Sequence, residues 1–175
     1  DTPNLTKLGS AAFYEFPMAK ITLPDTLTEI GYAAFKHCAQ LESLDIPNGV
    51  KEIPGSLLEM EQDESNGWAS ITSLTSISMA PDVTKINGWA FANCTHVTSF
   101  DGLADSLKGL TSLGEGALMG ISISDILIYI PETLDQTSIG RFTFNGANLG
   151  TDLEIPSFIT ELGENAFGWA KLEHV

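Results

Sequence analysis

A chain of 175 residues, 43% of them hydrophobic, is long enough to bury the core of one ordinary domain. Eight Lys and Arg against 23 Asp and Glu leave a net charge of −15. Such a surface repels nucleic-acid phosphates and anionic lipid headgroups, and attracts cations or a basic protein. The sequence has no run of about 18 apolar residues that could span a membrane, and its two cysteines are too few for a disulfide framework.

The first residues, Asp1-Thr2-Pro3-Asn4, carry neither the basic nor the apolar region of a signal peptide. From Leu8 onward a six-residue element recurs. It reads Leu8-Gly9-Ser10-Ala11-Ala12-Phe13, then Ile30-Gly31-Tyr32-Ala33-Ala34-Phe35, then a degenerate Ile53-Pro54-Gly55-Ser56-Leu57-Leu58. Ile86-Asn87-Gly88-Trp89-Ala90-Phe91, Leu113-Gly114-Glu115-Gly116-Ala117-Leu118, Ile139-Gly140-Arg141-Phe142-Thr143-Phe144 and Leu162-Gly163-Glu164-Asn165-Ala166-Phe167 follow. The copies start at 8, 30, 53, 86, 113, 139 and 162, with spacings of 22, 23, 33, 27, 26 and 23. The element keeps its length while the spacing varies, so insertions fall between copies, as loops do on a repetitive scaffold.

A second element precedes most copies. Met18-x-x-Ile21-x-Leu23-Pro24 and Leu41-x-x-Leu44-x-Ile46-Pro47 show it in full. Leu74-x-x-Ile77-x-Met79-Ala80-Pro81 has an extra residue, Val97-x-x-Phe100 loses the Pro, and Ile128-x-Ile130-Pro131 and Leu153-x-Ile155-Pro156 keep only the last half. Apolar residues two apart lie on one face of a short strand. The Pro ends the strand, because it cannot donate to a ladder.

The joined unit, L-x-x-L-x-I-P-x-x-V-x-x-I-G-x-x-A-F-x-x-C, resembles the leucine-rich repeat of the BspA-like class of bacterial and protist surface proteins, over nearly the whole chain from about residue 5 to 175. The resemblance implies a right-handed solenoid of six to seven coils of ~23 residues. Short parallel strands are expected on one face, with turns and short helical segments on the other. One unit cannot bury its own apolar face, so neighbours must stack, at roughly 4.8 Å per step. The expected organisation is a single solenoid over 1–175, with an insertion near 59–73. Leu172-x-x-Val175 begins another strand element and the start lacks one, so the expectation is a piece of a longer array.

Cys38 and Cys94 occupy the same repeat position, where other copies have Phe16, Ala147 and Ala170. That tolerance marks a packing position rather than a catalytic or metal-binding one. Two coils apart, the cysteines stand about 10 Å from each other, beyond the roughly 7 Å reach of a disulfide. Neither His37 nor His96 has a second ligand at metal-binding spacing, and Trp89 and Trp169 are expected to pack. The motifs of serine hydrolases, zinc proteases and phosphate loops are absent, so no catalytic residue, metal or cofactor is expected.

The insertion carries an acidic loop in which Asp63, Glu64 and Trp68 could contact a partner, or the carboxylates a weak Ca²⁺. Between the buried residues of successive strands lie Thr22, Asp45, Ser78, Asp101, Tyr129 and Glu154, which stacking should align into one exposed row. The resemblance implies protein partners at such a face. It also implies a secreted or surface-anchored protein that binds host extracellular proteins as an adhesion module; the alternative is a structural spacer that presents another domain.

Overall fold

The computed structural model describes residues 4–59, 62–63, 67–68, 73–122, 131–148 and 155–171. The described chain winds as a stack of coils, each closed by three sides. On the first side, β3 (Ser43–Asp45), β7 (Ser76–Ser78) and β9 (Ser99–Asp101) form a parallel ladder with Leu44, Ile77 and Phe100 in register. These central residues are buried and their flanking neighbours face outward. That is the period-two pattern read from Leu44 and Ile46, imposed by the alternation of side chains along a strand.

The second side is built from the apolar residue that opens each six-residue element, together with the residue before it. β1 (Lys7–Leu8) pairs with β2 (Glu29–Ile30). β4 (Glu52–Ile53), β8 (Lys85–Ile86) and β10 (Ser112–Leu113) form a second group, and β11 (Ser138–Ile139) pairs with β12 (Glu161–Leu162). All of these pairs are parallel, as successive coils of a solenoid require. The ladder is interrupted between β2 and β4 and again between β10 and β11. At the second break the Gln136 side chain stands in for a strand. Its carboxamide oxygen accepts from the Leu113 N–H at 3.4 Å, and its nitrogen donates to the Leu113 carbonyl at 3.0 Å.

Of the turns and short helical segments expected on the remaining face, the third side has the turns. It consists of overlapping turns. The residue at the fourth position of every copy has a positive φ: Ala11, Ala33, Ser56, Trp89, Gly116, Phe142 and Asn165. Four residues later the backbone is left-handed again at Glu15, His37, Asn93, Gly120, Gly146 and Trp169. Backbone N–H groups of one coil donate to carbonyls of the next, as from Ala33 to Gly55 at 3.0 Å and from Phe35 to Leu57 at 3.1 Å. The Gly that follows the apolar residue serves close approach instead: a Cβ on Gly31 would sit 2.4 Å from the Ser10 nitrogen.

Inside the coils the repeated apolar residues stack in columns. Leu27, Leu41, Val50, Ile53, Ala90 and Phe91 are fully buried. Phe13 stacks on Phe35 at 5.5 Å and Phe144 on Phe167 at 5.2 Å, with nearly parallel rings. Each such side chain contributes about 1.5–3 kcal/mol by leaving water. The coil after β9 departs from the pattern. Its missing Pro is replaced by Gly102 at φ 84, and the chain continues as helix α1 (Leu103–Leu107) with Leu103 and Leu107 buried. The insertion after the third copy contains β5 (Gln62–Asp63) and β6 (Gly67–Trp68), paired antiparallel.

Candidate functional site

The ladder of the first side positions three of the six residues expected in an exposed row. Asp45, Ser78 and Asp101 are Cα partners across β3, β7 and β9. Asp45 and Asp101 are exposed and Ser78 is half-buried between them. The Ser78 hydroxyl donates to Asp45 at 2.8 Å, while the Ser99 hydroxyl donates to Asp101 at 3.2 Å. The two carboxylates, two ladder steps apart, are about 10 Å from each other. They present separate negative charges to solvent and no bidentate metal site.

Thr22 is exposed but lies outside the ladder; its coil is joined to the next on this side by the bond from the Glu42 N–H to the Ala19 carbonyl at 2.9 Å, without the strand pairing that continues beyond it. Tyr129 and Glu154 lie outside the described residues. So do Glu64 and the side chains of Asp63 and Trp68, although the backbones of Asp63 and Trp68 fall in β5 and β6. Among the described residues, no group of His, Cys, Asp and Glu could hold a metal ion.

Cys38 and Cys94 are free thiols, both fully buried. Burial pushes the Cys94 thiol up to about 12, and burial likewise raises Cys38, whose Sγ donates to the Phe13 carbonyl at 2.9 Å. Neither is a poised nucleophile, since that role needs a lowered pKa. His37, which sequence spacing left without a carboxylate, has one from the neighbouring coil: Glu15 Oε1 lies 3.5 Å from its Nδ1. Pairing of that kind depends on stacking register and has no signature along the chain.

The tryptophans correct the expectation of packing in part. Trp89 is half-buried, its ring 6.0 Å from that of Phe142, but Trp169 is 82% exposed. Both sit at left-handed positions, and at Trp169 the side chain is directed away from the core. The described surface also holds a cleft that sequence reasoning missed, at the break between β2 and β4, bordered by Glu29, Tyr32, Lys51, Glu52 and Asn87. Its clue was Pro54, in the place that most copies give to Gly.

The description "BspA type Leucine rich repeat region" fits the chain in six copies, over residues 2–66 and 61–175. No curated protein matches. Among solved structures, the chain is similar to a leucine rich repeat protein of T. pallidum, at 22% identity and TM-score 0.56, covering 75% of this chain and 59% of that one. A leucine-rich repeat protein from Bacteroides ovatus ATCC 8483 has 16% identity and TM-score 0.59, with 99% and 52% covered. A leucine rich cell surface protein from Faecalibacterium prausnitzii A2-165 has 23% identity and TM-score 0.54, with 97% and 51% covered. The chain thus spans a little over half the length of these relatives, and the likeness shows a shared fold. With the repeated strand, turn and Ala-Phe elements laid out coil by coil and the family model covering them from residue 2 to 175, the chain belongs to the BspA-type leucine-rich repeat family.

Proposed function

We propose that this solenoid is a non-enzymatic protein-binding module of a bacterial surface or secreted protein, and that its partner lies along the exposed row of the first side. The observation that carries the reading is the in-register alignment of Asp45, Ser78 and Asp101 on a rigid ladder. Side chains held on strands make a more definite recognition surface than side chains on loops. Tyr129 and Glu154 continue the row by sequence register, and Tyr129 supplies an aromatic anchor of the kind that dominates interfaces. The family is a protein-interaction repeat, which supports the binding role. The relative from Faecalibacterium prausnitzii, described as a cell surface protein, supports the location. A host extracellular protein with a basic or polar face suits the acidic row.

The test is capture from serum and extracellular-matrix proteins by the wild type and by the Asp45→Ala/Asp101→Ala/Tyr129→Ala/Glu154→Ala variant. The expected outcome is a partner lost by the variant and weakened by added salt, because exposed charge pairs are screened beyond about 8 Å at physiological ionic strength. Equal capture by both proteins refutes the site. Capture by neither favours the spacer.

A further inference from the structure

The break between β2 and β4 coincides with a proline in the third copy. In three of the four second-side pairs the residue after the apolar one donates its N–H to the preceding coil. Asn87 donates to Ile53 at 3.0 Å, Gly114 to Ile86 at 2.8 Å and Gly163 to Ile139 at 2.8 Å. The third copy has Pro54 at this place, and proline has no N–H to donate. On the turn side the same two coils stay joined, through the bonds from Ala33 to Gly55 and from Phe35 to Leu57. Where this second-side pairing is absent, the gap between the coils opens as a cleft of about 590 Å³.

The walls of the cleft are mixed in a specific way. Tyr32 is 58% exposed, and its ring lies against Gly55, where an added Cβ would be 3.4 Å from the ring carbons. The Ser56 hydroxyl donates to the Tyr32 phenol at 3.1 Å and fixes the ring's outer end. Carboxylates enter from both coils, Glu29 from one and Glu52 from the other, and Asn87 places its carboxamide 2.9 Å from Glu52. Lys51 closes the rim, held by Asp82 at 2.6 Å.

We propose that this cleft binds a neutral saccharide of one or two pyranose rings. The volume falls in the range of small-molecule sites, and the pairing of an aromatic wall with a few convergent polar groups is how such sites hold a ligand. A tyrosine offers a flat apolar face to the C–H face of a sugar while keeping its hydroxyl wet. Ionised carboxylates accept strong hydrogen bonds from hydroxyls, and a carboxamide both donates and accepts, which suits a ring of vicinal hydroxyl groups. Anionic sugars are disfavoured by Glu29, Glu52 and the net charge of −15. A metal ion fits poorly, because the cleft gathers only two carboxylates and no group of three or more His, Cys, Asp or Glu among the described residues could hold one. An inserted peptide strand would gain little, since β2 and β4 are two residues each.

Saturation-transfer NMR on the whole chain tests this. The probes are lactose, cellobiose and the dimer of N-acetylglucosamine at millimolar concentration, with sialyllactose and triglycine as comparators. Lactose separates a galactoside source from the β-1,4-glucan and chitin-type sources represented by the other two. At least one neutral saccharide should receive saturation. Tyr32→Ala should weaken it by about tenfold, the factor that 1.4 kcal/mol represents, and Glu132→Gln, at an exposed position remote from the cleft, should leave it unchanged. If Tyr32→Ala fails to fold, Glu29→Gln carries the test, with a several-fold loss expected. No signal from any neutral saccharide, equal signals from the wild type and the cleft variants, or preference for sialyllactose or triglycine would each overturn the proposal.

Discussion

Ala11 and Ala12 are adjacent and both exposed, yet the solenoid asks opposite things of them. Ala11 is held at φ 54, while Ala12 has no positive φ. A left-handed conformation costs a residue with a Cβ roughly 1–2 kcal/mol, against about 0.4–1 kcal/mol of extra unfolded-state freedom for glycine. Ala11→Gly should therefore raise the melting temperature slightly and Ala12→Gly should lower it; equal effects would refute a strain at Ala11. Cys94 gives a pH prediction. Its folded pKa of about 12 stands above the ordinary 9.0. Between those values the native thiol keeps a proton that the unfolded thiol has released, so the stability it contributes is complete below pH 9 and lost as pH rises toward 12. The slope is about 1.4 kcal/mol per pH unit. Urea midpoints should fall more steeply across this window in the wild type than in Cys94→Ala, which installs the residue found at Ala147. Burial of the cysteines was legible from their repeat position. The left-handed positions were not, because Ala, Ser, Trp, Phe, Glu and His occupy eight of the thirteen where a sequence reader looks for Gly or Asn.

At the scale of elements, Gln136 does the work of a missing strand pairing. Leu113 is 2% exposed, so its N–H and C=O have little access to water. Gln136→Ala should cost about 1–3 kcal/mol, the penalty for leaving such groups unpaired, and should speed hydrogen exchange at the Leu113 amide. Unchanged exchange there would show that water or another group replaces the side chain without loss. Strands such as β3 and β7 were legible because their two-residue period is forced by one buried face. Helix α1 was visible only as a lost Pro after Phe100 and a longer spacing, since five residues are too few for a helical period to declare itself. The break at Thr22 was hidden as well: its coil carries a complete strand element and still does not join the ladder, because pairing depends on the neighbouring coil as much as on the strand.

For the whole molecule, stability is close to a sum of coil terms and interfaces between neighbours. The interface between the second and third coils lacks its second-side ladder and keeps the turn-side bonds. The first two coils should then open together, at a lower free energy than the coils containing β4, β8 and β10. Native-state hydrogen exchange reads this directly: the Ala11, Phe13 and Thr28 amides should exchange at lower urea than those of Asn87, Phe91 and Gly114. Pro54→Ala returns an N–H to the register position and should narrow the difference. A single isotherm shared by both groups in the wild type would refute the weak interface. The solenoid itself was legible because a constant element at varying intervals has few physical explanations. The cleft was not, because it exists only where two coils fail to meet.

The turn side has one further property. The peptide unit between Tyr32 and Ala33 accepts from the Ala11 N–H and donates to the Gly55 carbonyl, and the unit between Gly55 and Ser56 passes the bond on to Gly88. The same relay continues through Trp89 to Glu115, Gly116 to Arg141 and Phe142 to Glu164. In a pleated strand the peptide dipoles alternate and nearly cancel; here they add head to tail across the stack, as they do within a single α-helix. Each link polarises the next. The solenoid thus carries a dipole along its axis, with its positive pole toward the higher-numbered coils. Any coil joining that pole must offer carbonyls and any coil joining the opposite pole must offer N–H groups, so every coil of the stack has to face the same way.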